Sequence, residues 1–196
     1  MSITQKLKKG AAWMLGRALP IQKNKVVFSS FYGRGASDNP KAIVDALAQR
    51  PEKLDIVWLA KDPAHAGVPD NVRVVPYDTP AAIRELSTAR VWVDNCRKGA
   101  HVKKDGQYYM QTWHGFALKR IERDVADKLN TPENAAYAEY AKRDSAQIDA
   151  IISNSTFMTE IYQKSFWYHG AVLEYGSARN DILVNPPADA KQQVQQ

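Results

Sequence analysis

Short apolar runs rich in Val, Ile, Trp and Tyr alternate along this chain with stretches of helical period, and that alternation restricts the fold more than any other feature. The runs are Val26–Phe31, Asp55–Ala60, Val72–Tyr77, Arg90–Asn95, Tyr108–Trp113, Ala150–Ser153 and Ala171–Tyr175. Segments this short and this apolar suit strands buried on both faces, and the helical stretches between them suit crossover connections of a parallel sheet. Three of the intervening stretches open on a capping side chain followed by proline, at Asn39-Pro40, Thr79-Pro80 and Thr131-Pro132. A proline in the first turn lacks only an N–H that has no intrahelical partner anyway. The expected order is βαβαβαβ, an α/β fold with a Rossmann-like parallel sheet and helices on both faces. At 196 residues the chain is long enough for one sizeable core.

The sheet region is preceded by a different pattern. Residues 2–19 read as an amphipathic helix, with Ile3, Leu7, Ala11, Met14, Leu15 and Ala18 on one arc and Lys6, Lys9 and Arg17 on the other. Pro20 ends it, Lys8 interrupts its apolar edge, and Trp13 lies beside the basic arc. Two environments satisfy such a helix: an anionic bilayer surface, contacted through Lys6, Lys9, Trp13 and Arg17, or packing on its own domain. The expected organisation is a helix over 1–20, one domain over 21–184, and a Pro-, Ala- and Gln-rich linker or disordered tail over 185–196.

Lys and Arg total 27 against 21 Asp and Glu, a net charge of +6 that suits a polyanionic partner without choosing among nucleic acid, lipid and phosphate-rich polymer. No basic stretch interleaved with aromatics and no helix-turn-helix pattern supports nucleic acid. The single Cys96 can form neither an internal disulfide nor a C-x-x-C pair, which fits a reducing compartment. No apolar run approaches the roughly 18 residues needed to span a bilayer, and the expected location is intracellular. No His/Asp/Glu cluster has metal-ligand spacing, and no metal site is expected.

Residues able to carry chemistry fall where strands end. The first strand runs into a loop containing Gly33, Gly35 and Asn39, which reads either as an anion-binding βα loop or as a tight structural turn. Gln111-Thr112-Trp113-His114-Gly115 follows another strand at the carboxyl edge, where open α/β sheets bind ligands. A histidine there can act as a general base near neutral pH, or can be a satisfied core residue. Gly115 leaves room for a substrate, and Lys119 and Arg120 can hold phosphate oxygens or be solvated surface charge. A third segment, Gly176-Ser177-Ala178-Arg179-Asn180-Asp181, follows the last strand.

Taken together, Gly35 to Pro40, Gln111 to Lys119 and Gly176 to Asp181 resemble, in order, the motifs of the CDP-glycerol glycerophosphotransferase family of teichoic acid synthesis. The resemblance covers Lys25 to Val184. Ala178 stands where the family has proline, and Phe116 and Ala117 replace its small residue and proline. The resemblance implies the N-terminal, acceptor-side domain of a GT-B architecture, with the donor-binding domain lying beyond this chain. It implies transfer of glycerol phosphate from CDP-glycerol to a lipid-linked teichoic acid acceptor, releasing CMP, at the cytoplasmic membrane face and without a further cofactor. His114 is then the base, and Gly115, Lys119, Arg120, Arg179, Asn180 and Asp181 bind substrate. The alternative is a non-catalytic module that binds anionic polymer or membrane.

Overall fold

The computed structural model describes residues 3–98, 101–128 and 131–186, with the side chains of Ile3, Gln5 and Lys6 outside the described part. The expected tail falls outside it beyond residue 186. Seven strands, β1 (Gln22–Ser29), β2 (Asp55–Ala60), β3 (Arg73–Pro76), β4 (Ala89–Asp94), β5 (Tyr108–Gln111), β6 (Ala150–Ser153) and β7 (Ala171–Glu174), form one sheet in the order β3-β2-β1-β4-β5-β6-β7. Every pairing is parallel. Alternate residues feed opposite faces, as the two-residue period of a strand requires. Val27, Val57, Trp92, Tyr109 and Ile151 form one core with Leu86 of α3 (Pro80–Thr88) and Met158 and Tyr162 of α6 (Thr156–Ser165). Phe28, Ile56, Trp58 and Val93 form the other with Val44 of α2 (Asp38–Ala48). The fold is the expected α/β, Rossmann-like sheet covered on both sides.

The differences from expectation have local causes. β1 starts at Gln22, not Val26, because buried Lys25 is satisfied by Glu85 at 2.7 Å and Thr88 at 3.0 Å. It stops before Phe31 because Phe31 and Tyr32 take φ of 44° and 57°. β5 likewise ends at Gln111, since Trp113 has φ 51°. The helix after β1 is entered through Ser37, and Asn39 lies inside its first turn, where it does not cap. Thr79 and Thr131 cap as expected, accepting the N–H of Ala82 and Asn134. Strict alternation fails twice, because no α-helix joins β2 to β3 or, among the described residues, β4 to β5. The connection from β5 to β6 instead carries two helices, α4 (Arg123–Ala126) and α5 (Pro132–Ser145).

The N-terminal helix, α1 (Ile3–Ala18), packs on α3, and two of the residues expected at a membrane surface, Lys9 and Trp13, are instead turned inward. Lys9 pairs with Asp78 at 2.5 Å, and Trp13 lies against His101 with ring centroids 5.8 Å apart, so both face the domain. Burial drives the His101 pKa down to about 4. Lys104 donates to the carbonyls of Gly16 and Leu19, satisfying acceptors at the helix C-terminus. The apolar arc points outward, leaving Leu7, Met14 and Leu15 69%, 70% and 71% exposed, and Arg17 is exposed beside it. Close approach depends on Gly16, where a Cβ would meet Ser87 Oγ at 2.3 Å and Cβ at 2.7 Å. Gly16→Leu is expected to weaken the docking of α1 by ~1–3 kcal/mol. Hydrogen exchange should then accelerate across residues 3–18 while the strand amides stay protected; unchanged exchange in α1 would show that Gly16 is not the contact that holds it.

Candidate functional site

The strand order reverses direction between β1 and β4, and open α/β sheets bind ligands outside the carboxyl ends of the strands at such a point. Loops from four strands converge there. The loop after β5 is fixed first: Trp113 N–H donates to Gln111 Oε1 at 2.9 Å, and Gln111 Nε2 donates to the Cys96 carbonyl at 3.1 Å and to Tyr109 OH at 3.0 Å. Thr112 N–H donates to the Asp94 carbonyl at 2.9 Å. Gln111 and Thr112 are therefore buried fasteners that set the angle at which the chain leaves the sheet.

His114 follows, half-buried, its imidazole stacked on Trp113 at 4.4 Å and 23° and 5.8 Å from the Phe31 ring. Its pKa is lowered from the ordinary 6.5, first by burial, against an opposing pull from Asp38 and with help from Arg179. A histidine neutral at physiological pH can accept a proton, which a general base requires. The imidazole opens onto a cleft of ≈ 480 Å³ lined also by Gly115, Phe116, Leu118 and Lys119. A Cβ at Gly115 would meet nothing within 4 Å, so packing does not require glycine there.

Arg179 joins the three separate motif segments. Its Nη1 donates to Asp38 Oδ1 at 2.5 Å and to the His114 carbonyl at 3.2 Å, and its backbone N–H donates to Asn39 Oδ1 at 3.2 Å. Asn39 Nδ2 reaches the Thr112 carbonyl at 3.5 Å, which explains why this asparagine serves the loop junction rather than the helix cap. Asn95, at the end of β4, completes the junction by donating to Asp38 Oδ2 at 2.7 Å and accepting the Phe31 N–H at 2.9 Å.

The remaining expected residues divide by environment. Lys119 and Arg120 are exposed and unpaired among the described residues, Lys119 on the His114 cleft and Arg120 on an adjoining one of ≈ 330 Å³. Asn180 is exposed, and Asp181 lines an outer groove of ≈ 640 Å³ along α2. Gly33 is a packing glycine, with φ 78° and a Cβ position 2.6 Å from the Tyr77 side chain. The Gly35 carbonyl accepts Ser30 Oγ at 2.6 Å, so the loop is self-bonded, and the Asp38 carboxylate occupies the start of α2. These features favour the tight-turn alternative over an anion cradle.

Sequence reasoning missed Asp38, Asn95 and a buried charged cluster after β4. Lys98 pairs with Asp94 at 2.6 Å and donates to Ser29 Oγ at 2.6 Å. Arg97 pairs with Glu122 at 2.8 Å and with Asp144 at 3.2 Å. The available signal was position, since Asn95, Arg97 and Lys98 follow a strand at the same carboxyl edge as His114. Among the described residues no group of His, Cys, Asp and Glu is arranged to hold a metal ion.

Residues 12–196 match the family described as CDP-Glycerol:Poly(glycerophosphate) glycerophosphotransferase. The chain is 32% identical over 172 residues to a teichoic acid poly(glycerol phosphate) polymerase of Staphylococcus epidermidis, covering 86% of this chain and 24% of that protein. It is 31% identical over 175 residues to a teichoic acid glycerol-phosphate transferase of Staphylococcus aureus, covering 86% of this chain and 44% of that protein. The solved structure of the wall teichoic acid polymerase TagF matches with a TM-score of 0.85 at 28% identity, over 100% of this chain and 52% of that one. The chain thus spans less than half the length of these curated relatives and about half of the solved polymerase chain. The sheet, the motif junction around His114 and these matches agree: the chain belongs to the CDP-glycerol:poly(glycerophosphate) glycerophosphotransferase family.

Proposed function

We propose that this chain is the acceptor-side part of a glycerophosphotransferase, acting with a donor-binding domain to move glycerol phosphate from CDP-glycerol onto a lipid-linked teichoic acid chain. The observation that carries this reading is the hydrogen-bonded junction of Asp38, Asn39 and Arg179 behind a half-buried His114 whose ring opens onto a cleft. His114 takes the proton of the acceptor hydroxyl as that oxygen forms its bond to the phosphorus next to glycerol. The bond from that phosphorus to the bridging oxygen breaks, and CMP leaves. Lys119 and Arg120, exposed and unpaired, are placed to balance charge on phosphoryl oxygens. CDP-glycerol as the donor is in keeping with the soak of a TagF variant with CDPG, and donor selectivity is assigned to the partner domain.

A lipid-linked acceptor is met at a membrane surface, and the outward face of α1 suits one. Leu7, Met14 and Leu15 are exposed together, with Lys8 and Arg17 exposed on the same helix. Among the described residues no helix is long and apolar enough to cross a bilayer. Peripheral contact at the cytoplasmic face is therefore the proposed mode. It is made by the apolar arc with Arg17, since Lys9 and Trp13 are turned toward the domain.

Three outcomes are expected. With a donor-binding domain supplied in trans and a primed acceptor on anionic vesicles, His114→Ala should lower CMP release by about 10²–10⁴-fold; release equal to the unaltered chain would remove the base assignment. The acid limb of kcat/KM against pH should lie below 6.5, because activity is lost only as pH falls through the lowered pKa of His114 and protonates the base. An acid limb above that value, or one unmoved in His114→Ala, would separate the profile from this residue. Replacing Leu7, Met14 and Leu15 together by Gln should abolish co-sedimentation with anionic vesicles while the sheet remains folded, and retained binding would rule out α1 as the lipid contact.

A further inference from the structure

The buried charges after β4 do more than close a loop. Arg97 is 4% exposed, and its guanidinium is held on two sides. On one side Nη1 donates to the Ala141 carbonyl at 3.1 Å, Asp144 Oδ2 at 3.2 Å and Ser145 Oγ at 2.9 Å. On the other, Nη2 donates to Glu122 Oε2 at 2.8 Å, and Tyr137 OH donates to the second oxygen of the same carboxylate at 2.7 Å. So held, the guanidinium carbon sits 5.9 Å from the centroid of the Trp113 ring and 5.4 Å from that of Phe166. Trp113 meets Phe166 edge to face at 4.6 Å and stacks on His114 at 4.4 Å.

Buried ion pairs add little net stability over well-packed apolar groups, so stability alone is a weak reason for this cluster. What the fork of an arginine provides is a planar cation fixed in direction by carboxylates on two sides, able to lie against an aromatic ring. Trp113 needs such support, because a bulky residue at φ 51° keeps that conformation only where its surroundings over-determine it. Gln111 and Thr112 hold its backbone, and its ring, packed on the core, is steadied by Arg97, Phe166 and His114.

We propose that Arg97 is a positioning residue: clamped between Asp144 and Glu122, its guanidinium braces the Trp113 ring, and Trp113 fixes the His114 imidazole at the mouth of the cleft. The inference deepens the reading of His114 as the base, but the bracing is testable without turnover. If His114→Ala left CMP release unchanged, the base assignment would fall while the ring contact could still be measured.

The test uses the full chain and nuclear magnetic resonance of its histidine and tryptophan rings, with core signals of Ile151 and Met158 as the folding control. Arg97→Lys keeps the charge but loses the fork, so a change in His114 reports packing rather than a lost field from Asp38, Arg179, Glu122 or Asp94. Tyr137→Phe frees one oxygen of Glu122 and leaves no buried charge unpaired. In Arg97→Lys the cross-relaxation between Trp113 and His114 should weaken, and His114 should titrate closer to an ordinary histidine as its ring gains water. Tyr137→Phe should move both readouts the same way by less. An unchanged ring contact and titration in both variants, with core signals intact, would reduce Arg97 to a structural ion pair. Should Arg97→Lys fail to fold, Tyr137→Phe decides by the same two readouts.

Discussion

A parallel sheet covered on both faces has no free face on which to build a site, and this constraint organises the molecule. Val27 and Phe28, adjacent in β1, are both fully buried, one in each core. Chemistry is left to the loops at the carboxyl ends of β1, β4, β5 and β7, which converge on the crevice opened where the strand order reverses between β1 and β4. These loops leave the sheet through residues with left-handed backbone, Phe31, Tyr32 and Trp113 among them. Each such turn has to be held by its surroundings, and the polar groups that hold them form the site's scaffold.

Two kinds of fastener do this. Side-chain amides close backbone junctions without adding charge: Gln111 ties Trp113 N–H to the Cys96 carbonyl, Asn95 ties Phe31 N–H to Asp38, and Asn39 ties Thr112 to Arg179. Each amide both donates and accepts, so one residue can bond two loops whose free groups differ in kind. Buried ion pairs supply the rest, and they are safe only when every member is matched, since an uncompensated buried charge is strongly destabilising. Arg97 and Lys98 are matched by Asp94, Glu122 and Asp144 from three different segments. The loop after β4 is thereby committed to the fold around His114.

The fold was legible because its signal is local and repeated. β2 and β6 were bounded to the residue, since apolar runs buried on both faces begin and end with their burial. β1 was misjudged at its polar start because Lys25 is buried through Glu85 and Thr88, partners 60 and 63 positions away that no local pattern reveals. The position of His114 just past a strand end was legible, as was the nearness of Lys119 and Arg120 to it; their roles belong to the proposed function. Asp38, Asn95 and Arg97 were not, because their importance lies in partners distant in sequence, such as Arg179 for Asp38 and Glu122 for Arg97. The helix α1 shows the same limit differently. Its amphipathic pattern was clear, but which face packs inward was decided by Gly16 against Ser87 and by Lys9 finding Asp78.

Under the proposed function, the charge balance behind His114 bears on the direction from which a phosphate would approach. Arg179 and Asp38 form a pair, so the guanidinium nearest the His114 backbone is already compensated. Behind Trp113, the cations Arg97 and Lys98 face three carboxylates, those of Asp94, Glu122 and Asp144, leaving that cluster one negative charge in excess. Neither group offers a net positive field to an anion. The unpaired cations around the clefts are those of the loop beyond Gly115, where Lys119 and Arg120 stand exposed. An acceptor oxygen attacking from the His114 ring would therefore have its phosphoryl partner on the side of residues 115–120, away from the junction around Arg179. On the proposed reading, the compensated pairs frame the site and the 115–120 loop is its working edge.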